Sequence, residues 1–266
     1  MSSLKSKILY SIFNVKEIFY EKVNKEFIKH YSRYDFINEI YLDLIGSTQE
    51  VFNFKNFLKK FDLNIKVIHL SENYSDEIKL KGYNNFLNYF KLNYNENDYV
   101  INLDADEIVE LKLKIFESDF DVVQGVFIDM IEVDNVYKMS DFSIQVLSKT
   151  SKENGAFQKN FIYKGKYKFH YISPHIMKNE DLNYSNVIYP LYHYKWEKGI
   201  EEKLEKRYKK YRDQNLSWAF ESKLFLDNFI NKEFSIISNT DNLLFERDYK
   251  GVLHLNKNGN LKIHND

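Results

Sequence analysis

At 266 residues and 32.1 kDa, with 38 Lys+Arg against 39 Asp+Glu, the chain is close to neutral. That balance speaks against a nucleic-acid partner bound through a general basic excess. The absence of Cys excludes a disulfide scaffold, a Cys-ligated zinc, an iron–sulfur cluster and a Cys nucleophile, so a metal here must be held by carboxylate, imidazole, carbonyl or water. A hydrophobic share of 44% with 29% charged residues is globular, and the length suits one large domain or one domain with an appendage.

The first half alternates strands and helices. Lys7–Phe13 reads as a strand and Val15–Tyr34 as a helix, with Ile18, Phe19, Val23, Phe27 and Ile28 at helical spacing. Glu39–Ile45 alternates as a second strand and is broken by Gly46-Ser47-Thr48, where Ser47 or Thr48 can cap a helix over Gln49–Phe61. Ile65–Leu70 is a third strand, and a polar loop over Ser71–Ser75 leads to a helix over Asp76–Tyr94. Asp98–Leu103, a fourth strand, runs directly into Asp104-Ala105-Asp106-Glu107. This order predicts an α/β fold with a mostly parallel central sheet flanked by helices, in which ligands bind beyond the carboxyl ends of the strands. Asn14, Asp43, Glu72 and the Asp104 cluster are expected to converge on that edge.

The middle reads as strands over Asp121–Asp129 and Phe142–Lys149, with Phe161–His170 a strand or a loop. An aromatic stretch surrounds His193 in Tyr189–Trp196. Two helices, Ile200–Asn215 and Trp218–Asn231, follow. Asn256-Lys257-Asn258-Gly259 signals a hairpin within Val252–Ile263. The expected division is 1–196 as the catalytic domain and 197–266 as a helical extension with a terminal β-hairpin. No segment approaches the roughly 18 apolar residues of a membrane span. The short apolar run after Lys7 reads as a strand rather than a signal peptide, so the expectation is a cytoplasmic protein.

The carboxylates after the fourth strand carry the strongest chemical signal. Three acids at the end of a buried strand repel one another, and desolvation adds to the cost. A divalent cation relieves both, and carboxylate oxygens suit Mg²⁺ or Mn²⁺.

Asn102-Leu103-Asp104-Ala105-Asp106-Glu107, after three β-α units of these lengths, resembles the family 2 glycosyltransferases with the GT-A fold, including bacterial enzymes that build lipopolysaccharide cores and capsules. The Tyr189–Trp196 stretch and the following charged helix with Lys206-Arg207-Tyr208-Lys209-Lys210-Tyr211 are similar to that family as well, so the resemblance covers roughly Lys7 to Tyr211. It implies an inverting, metal-dependent transferase that uses a nucleotide-sugar donor, UDP-linked by analogy, and a glycan or glycolipid acceptor. Asn14 and Lys81 would lie along the nucleotide and its phosphates, Asp43 would bond the base, Asp104 would contact the ribose or the metal, Asp106 would bind the metal, and His193 would complete the metal or diphosphate site. The Gly165 region ends in His170-Tyr171 where the family often has His-Glu, which leaves His170, His175 and Asp141 as candidates for the base. Tyr and Trp side chains near Trp196 would stack on a sugar. Lys203–Lys210 reads as a solvated face with pairs such as Glu202–Lys206, or as a surface resting on an anionic membrane. The alternatives are a nucleotidyltransferase, which the Gly-free Asn14-Val15-Lys16 disfavours, and a binding protein without catalysis on the same fold.

Overall fold

The computed structural model describes residues 5–16, 18–148, 157–166, 182–196, 199–214, 218–248, 251–256 and 258–263. The chain divides into two compact units, residues 1–124 with 160–186, and residues 125–159 with 187–266. The expected boundary at Trp196 does not coincide with this division. Trp196 is 1% exposed and belongs to the same apolar core as Ile200, Leu204 and Phe225 beyond it.

Unit 1 holds β1 (Lys7–Asn14), β2 (Glu39–Ile45), β3 (Ile65–Ser71), β4 (Tyr99–Asn102), the short β5 (Glu107–Ile108) and most of β8 (Gln158–Lys164), with the strand order β3-β2-β1-β4-β8. The first four are parallel, with Tyr10 opposite both Tyr41 and Asn102, and β8 runs antiparallel to β4 with Ile101 opposite Ile162. Crossovers between the parallel strands are α1 (Ile18–Tyr31), α2 (Thr48–Leu58) and α3 (Asp76–Asn93).

Strand alternation explains the layers. Ile8 and Tyr10 of β1 join Tyr41, Tyr83, Phe86, Phe90, Val100 and Tyr163 in the core under α3. Phe13, an odd position, turns the other way and meets Phe27 of α1 and Phe54 of α2 edge-on at 5.1 and 5.8 Å. All seven residues of β2 are buried, as a central parallel strand covered on both faces requires. The α2 start is set as its sequence suggests. Ser47 accepts from the Glu50 N–H, and Glu50 accepts from the Ser47 N–H, closing a capping box.

Gly165 follows β8 against the α3 core. A Cβ there would lie 2.0 Å from Cε1 of Phe90, a ring already stacked on Tyr94 at 5.4 Å. Gly165→Ala is therefore expected to cost about 1–3 kcal/mol through forced repacking. Chemical denaturation checks this, and a change near zero would show that Phe90 has room to move.

Unit 2 holds most of β6 (Val122–Val133), then β7 (Val136–Ser140), α4 (Phe142–Ser148), most of β9 (Tyr184–Trp196), α5 (Ile200–Asp213) and α6 (Trp218–Ile230). β6 and β7 form a hairpin closed by Asp134 and Asn135, both with positive φ (55° and 62°). This is the paired left-handed geometry that suits the twist of antiparallel strands.

Two expectations are corrected. Phe142–Lys149 is not a strand; Phe142–Ser148 is helix α4. Phe142, Ser143, Ile144, Val146 and Leu147 are all buried, so the segment is apolar on every side and alternation could not reveal its period. The terminal hairpin is also different. β11 (Leu253–Leu255) and β12 (Leu261–Lys262) pair with β10 (Leu244–Arg247) between them, not with each other. The Asn256–Gly259 turn passes around the end of β10, where a Cβ on Gly259 would meet the Phe245 backbone at 2.7 Å.

Candidate functional site

The carboxyl ends of β1 to β4 share one edge because these strands are parallel. Asn14 closes β1, Glu72 follows β3, and Asp104 lies just beyond β4, where the Leu103 N–H still bonds the Tyr10 carbonyl at 3.2 Å. The expected convergence holds for these residues.

Asp104-Ala105-Asp106-Glu107 forms a tight turn rather than three equivalent acids. The Glu107 N–H donates to the Asp104 carbonyl (3.0 Å), and the Asp104 N–H donates to Oε2 of Glu107 (2.9 Å). Glu107 is 2% exposed and faces inward with Ala105, whereas Asp104 and Asp106 are half-buried. Glu107 thus fixes the turn, and Asp104 and Asp106 lie half-buried on either side of Ala105. That pair is a hard-oxygen donor set, and Mg²⁺ is usually held by one or two carboxylates with water and substrate phosphates filling the remaining positions. Asp104 and Asp106 have the donor chemistry that such an ion takes. Among the described residues no group of three or more His, Asp or Glu side chains is arranged to hold a metal ion.

Asp43 does not lie past the end of its strand. It sits inside β2, opposite Ile12, 0% exposed, and accepts from the Tyr10 hydroxyl at 3.0 Å. Its other oxygen, Oδ1, is buried without a hydrogen-bond partner. A Cβ on Gly82 of α3 would come within 2.7 Å of Oδ2, so the helix backbone is pressed against this carboxyl. Burial raises the Asp43 pKa to about 7, against a smaller lowering by the Tyr10 hydrogen bond.

The remaining expected donor residues are placed more simply. The Asn14 side chain accepts from the Lys16 N–H (3.0 Å), and its carbonyl accepts from Asn24 of α1 (2.9 Å). Lys81 is exposed on α3, beside the inward-facing Gly82 and Tyr83.

Of the candidate bases, His170 and His175 lie outside the described residues. Asp141 belongs to unit 2 and serves the start of α4. Its Oδ2 accepts from the Gln145 side chain (2.7 Å), and its carbonyl accepts from the Gln145 N–H (2.9 Å).

His193 is held by a residue that the sequence reading did not single out. Its Nδ1 lies 3.2 Å from Oδ1 of Asp129, and its ring stacks on Phe127 with centroids 4.9 Å apart. Asp129 is 0% exposed and also receives the Trp196 indole N–H and the Ser143 N–H. A lone acid inside the apolar run Val126-Phe127-Ile128-Asp129-Met130-Ile131 was the available signal. Trp196 is interior, against Phe142, Phe225 and Phe229, and is no platform for a sugar.

The expected pairs on the charged helix α5 are present, Lys206 with Glu202 at 2.6 Å and Lys209 with Glu205 at 2.9 Å. Among the described residues no helix is long and apolar enough to cross a membrane.

No protein-family model and no curated protein matches the chain. Solved structures that do match include a 4-diphosphocytidyl-2C-methyl-D-erythritol synthase, at 8% identity over 61% of this chain and 76% of that one, TM-score 0.37. The corresponding synthase from Anaerococcus prevotii is 15% identical over 70% of this chain and 87% of that one, TM-score 0.36. S. aureus TarS is 12% identical over 86% of this chain, which spans 43% of TarS, TM-score 0.38. Scores this low leave the fold to be argued from strand order and register, which make unit 1 a mixed α/β layer with a largely parallel sheet.

Proposed function

We propose that the chain is a metal-dependent inverting glycosyltransferase, taking a sugar from a UDP-linked donor to a hydroxyl of a surface glycan or glycolipid. The observation that supports this best is the half-buried pair Asp104 and Asp106, set just past β4 on the ligand-binding edge of a parallel sheet by the inward turn of Glu107. A Mg²⁺ or Mn²⁺ held there would neutralise charge on a departing diphosphate. The chain's own part is to fix the two carboxylates. Glu107 does so by holding the Asp104 backbone, so that no reorganisation is needed when the nucleotide arrives.

A nucleotidyltransferase would use the same acidic pair but take a nucleoside triphosphate. A binding protein would take the nucleotide without turnover. Melting temperature measured against nucleoside di- and triphosphates, each with and without Mn²⁺, separates these readings. A ligand bound at 100 times its Kd adds about 2.7 kcal/mol to the stability of the folded state, a shift of several degrees. The expected result is a shift with a nucleoside diphosphate that needs Mn²⁺ and disappears in Asp106→Ala. A triphosphate-only response would favour the nucleotidyltransferase. A flat panel with folded protein would remove the donor site altogether.

A further inference from the structure

The chain that leaves the acidic turn is gripped by side chains from the end of α1. Residues 107–111 bring four backbone groups to them. Tyr31 accepts from the Val109 N–H at 3.0 Å and turns its own hydroxyl proton toward the Glu107 carbonyl, a longer 3.4 Å. His30 Nε2 lies 2.9 Å from the Val109 carbonyl. A carbonyl only accepts, so the ring proton sits on Nε2, and Nδ1 accepts from Nη2 of Arg33 at 2.7 Å. Tyr34 accepts from the Leu111 N–H at 3.1 Å and donates to Oε2 of Glu110 at 2.9 Å. Val109 and Leu111 are buried, so their backbone groups need partners from the protein, and here side chains supply them.

The two tyrosine rings would pack as well without their hydroxyls. Tyr31 lies against Phe27 with centroids 4.5 Å apart, and Tyr34 against Phe36 at 5.3 Å. What the hydroxyls add is directed at residues 107–111. That segment begins with Glu107, whose carboxylate holds the Asp104 N–H at 2.9 Å. A carboxylate is placed only as well as the backbone that carries it. The α1 contacts therefore locate Glu107, and through it the turn that bears Asp104 and Asp106. All of these residues belong to unit 1.

We propose that Tyr31, Tyr34 and His30 are positioning residues for the acidic pair, holding the Asp104–Glu107 turn in the form that takes a divalent cation. The proposal deepens the metal-dependent reading of this site and rests on it. Outer partners that orient metal ligands typically govern about 10–100-fold in metal affinity.

The test titrates Mn²⁺ alone into the full-length protein and follows the free ion by its electron paramagnetic resonance signal. Binding that Asp106→Ala abolishes places the ion at the acidic turn. Tyr31→Phe and Tyr34→Phe, each shown to be folded by circular dichroism, are expected to raise the Kd for Mn²⁺ by about 10–100-fold. His30→Gln keeps an N–H that can reach the Val109 carbonyl, so it should retain affinity that His30→Ala loses. Gly165→Ala strains the core under α3 without touching the turn, and it should keep the wild-type Kd.

A wild-type Kd in both tyrosine variants overturns the positioning role and spares the metal site. A loss in Gly165→Ala equal to theirs would trace the effect to general stability and overturn it as well. Equal losses in His30→Gln and His30→Ala would remove His30 from the set. Should Tyr31→Phe fail to fold, Tyr34→Phe carries the test, because Tyr34 is only half-buried. A wild type that binds no Mn²⁺ at the turn sinks the metal-dependent reading and the positioning role together.

Discussion

Asp43→Asn is expected to make the protein more stable at neutral pH, by up to ~4 kcal/mol, and to have no such benefit below about pH 4. The reason is the environment built around this carboxyl. Asp43 is 0% exposed beside Tyr10 and Tyr41, and burial raises its pKa from 3.8 to about 7. Below 3.8 the acid is protonated in both folded and unfolded chains, and it contributes no pH dependence. As pH rises from 3.8 toward about 7, the unfolded chain ionises while the folded chain stays protonated, so wild-type stability falls by ~1.4 kcal/mol per pH unit. Above about 7 both states are ionised and the loss is complete. An amide never ionises, and its oxygen can still accept from the Tyr10 hydroxyl. Its NH₂ would take the place of the unpartnered Oδ1, and an unmet donor costs about 1–3 kcal/mol, which reduces the gain without changing its pH dependence. Urea unfolding of both proteins at pH 4 and pH 7 measures the effect. An equal difference at the two pH values would mean that the folded carboxyl titrates normally.

The parts of this fold that were legible in sequence share a physical cause. Lys7–Asn14, Glu39–Ile45 and Ile65–Ser71 are bounded by polar breaks and separated by helices with apolar spacing, so type and order followed from period alone. The acidic turn was legible because a carboxylate run directly after a buried strand has few inexpensive explanations. Phe142–Ser148 was not, since a segment buried all round shows no period. The Asn256–Gly259 signal gave a reversal of the chain, but a turn does not say which strand lies beside it, and β10 occupies the place between its arms. The turn between β6 and β7 went unread, although Asp134 and Asn135 are residue types that tolerate positive φ. Asp129 needed the fold, because its partners Ser143, His193 and Trp196 lie 14, 64 and 67 residues away.

Trp196→Ala is expected to be among the most destabilising single changes in unit 2, at about 3–5 kcal/mol. The aromatic stretch that ends at Trp196 invites a reading as a sugar platform, but exposure decides against it. The ring is 1% exposed and lies against Phe142 at 4.9 Å, Phe225 at 5.3 Å and Phe229 at 5.7 Å. Deleting it leaves a cavity between α4, α6 and β9 and also removes one donor from Asp129. Trp196→Phe separates the two contributions. It keeps most of the packing and loses the indole N–H, so its cost should be smaller, about 1–3 kcal/mol for one hydrogen bond withdrawn from a buried carboxylate. Denaturation followed by circular dichroism, which does not rely on the removed fluorophore, gives both values. A sugar platform predicts the opposite pattern, with weakened glycan binding and nearly unchanged stability in the alanine variant. If instead Phe proves as costly as Ala, the charge on Asp129, rather than the volume of the indole, dominates at this position, and the ring of His193 loses its fixed neighbour in both variants.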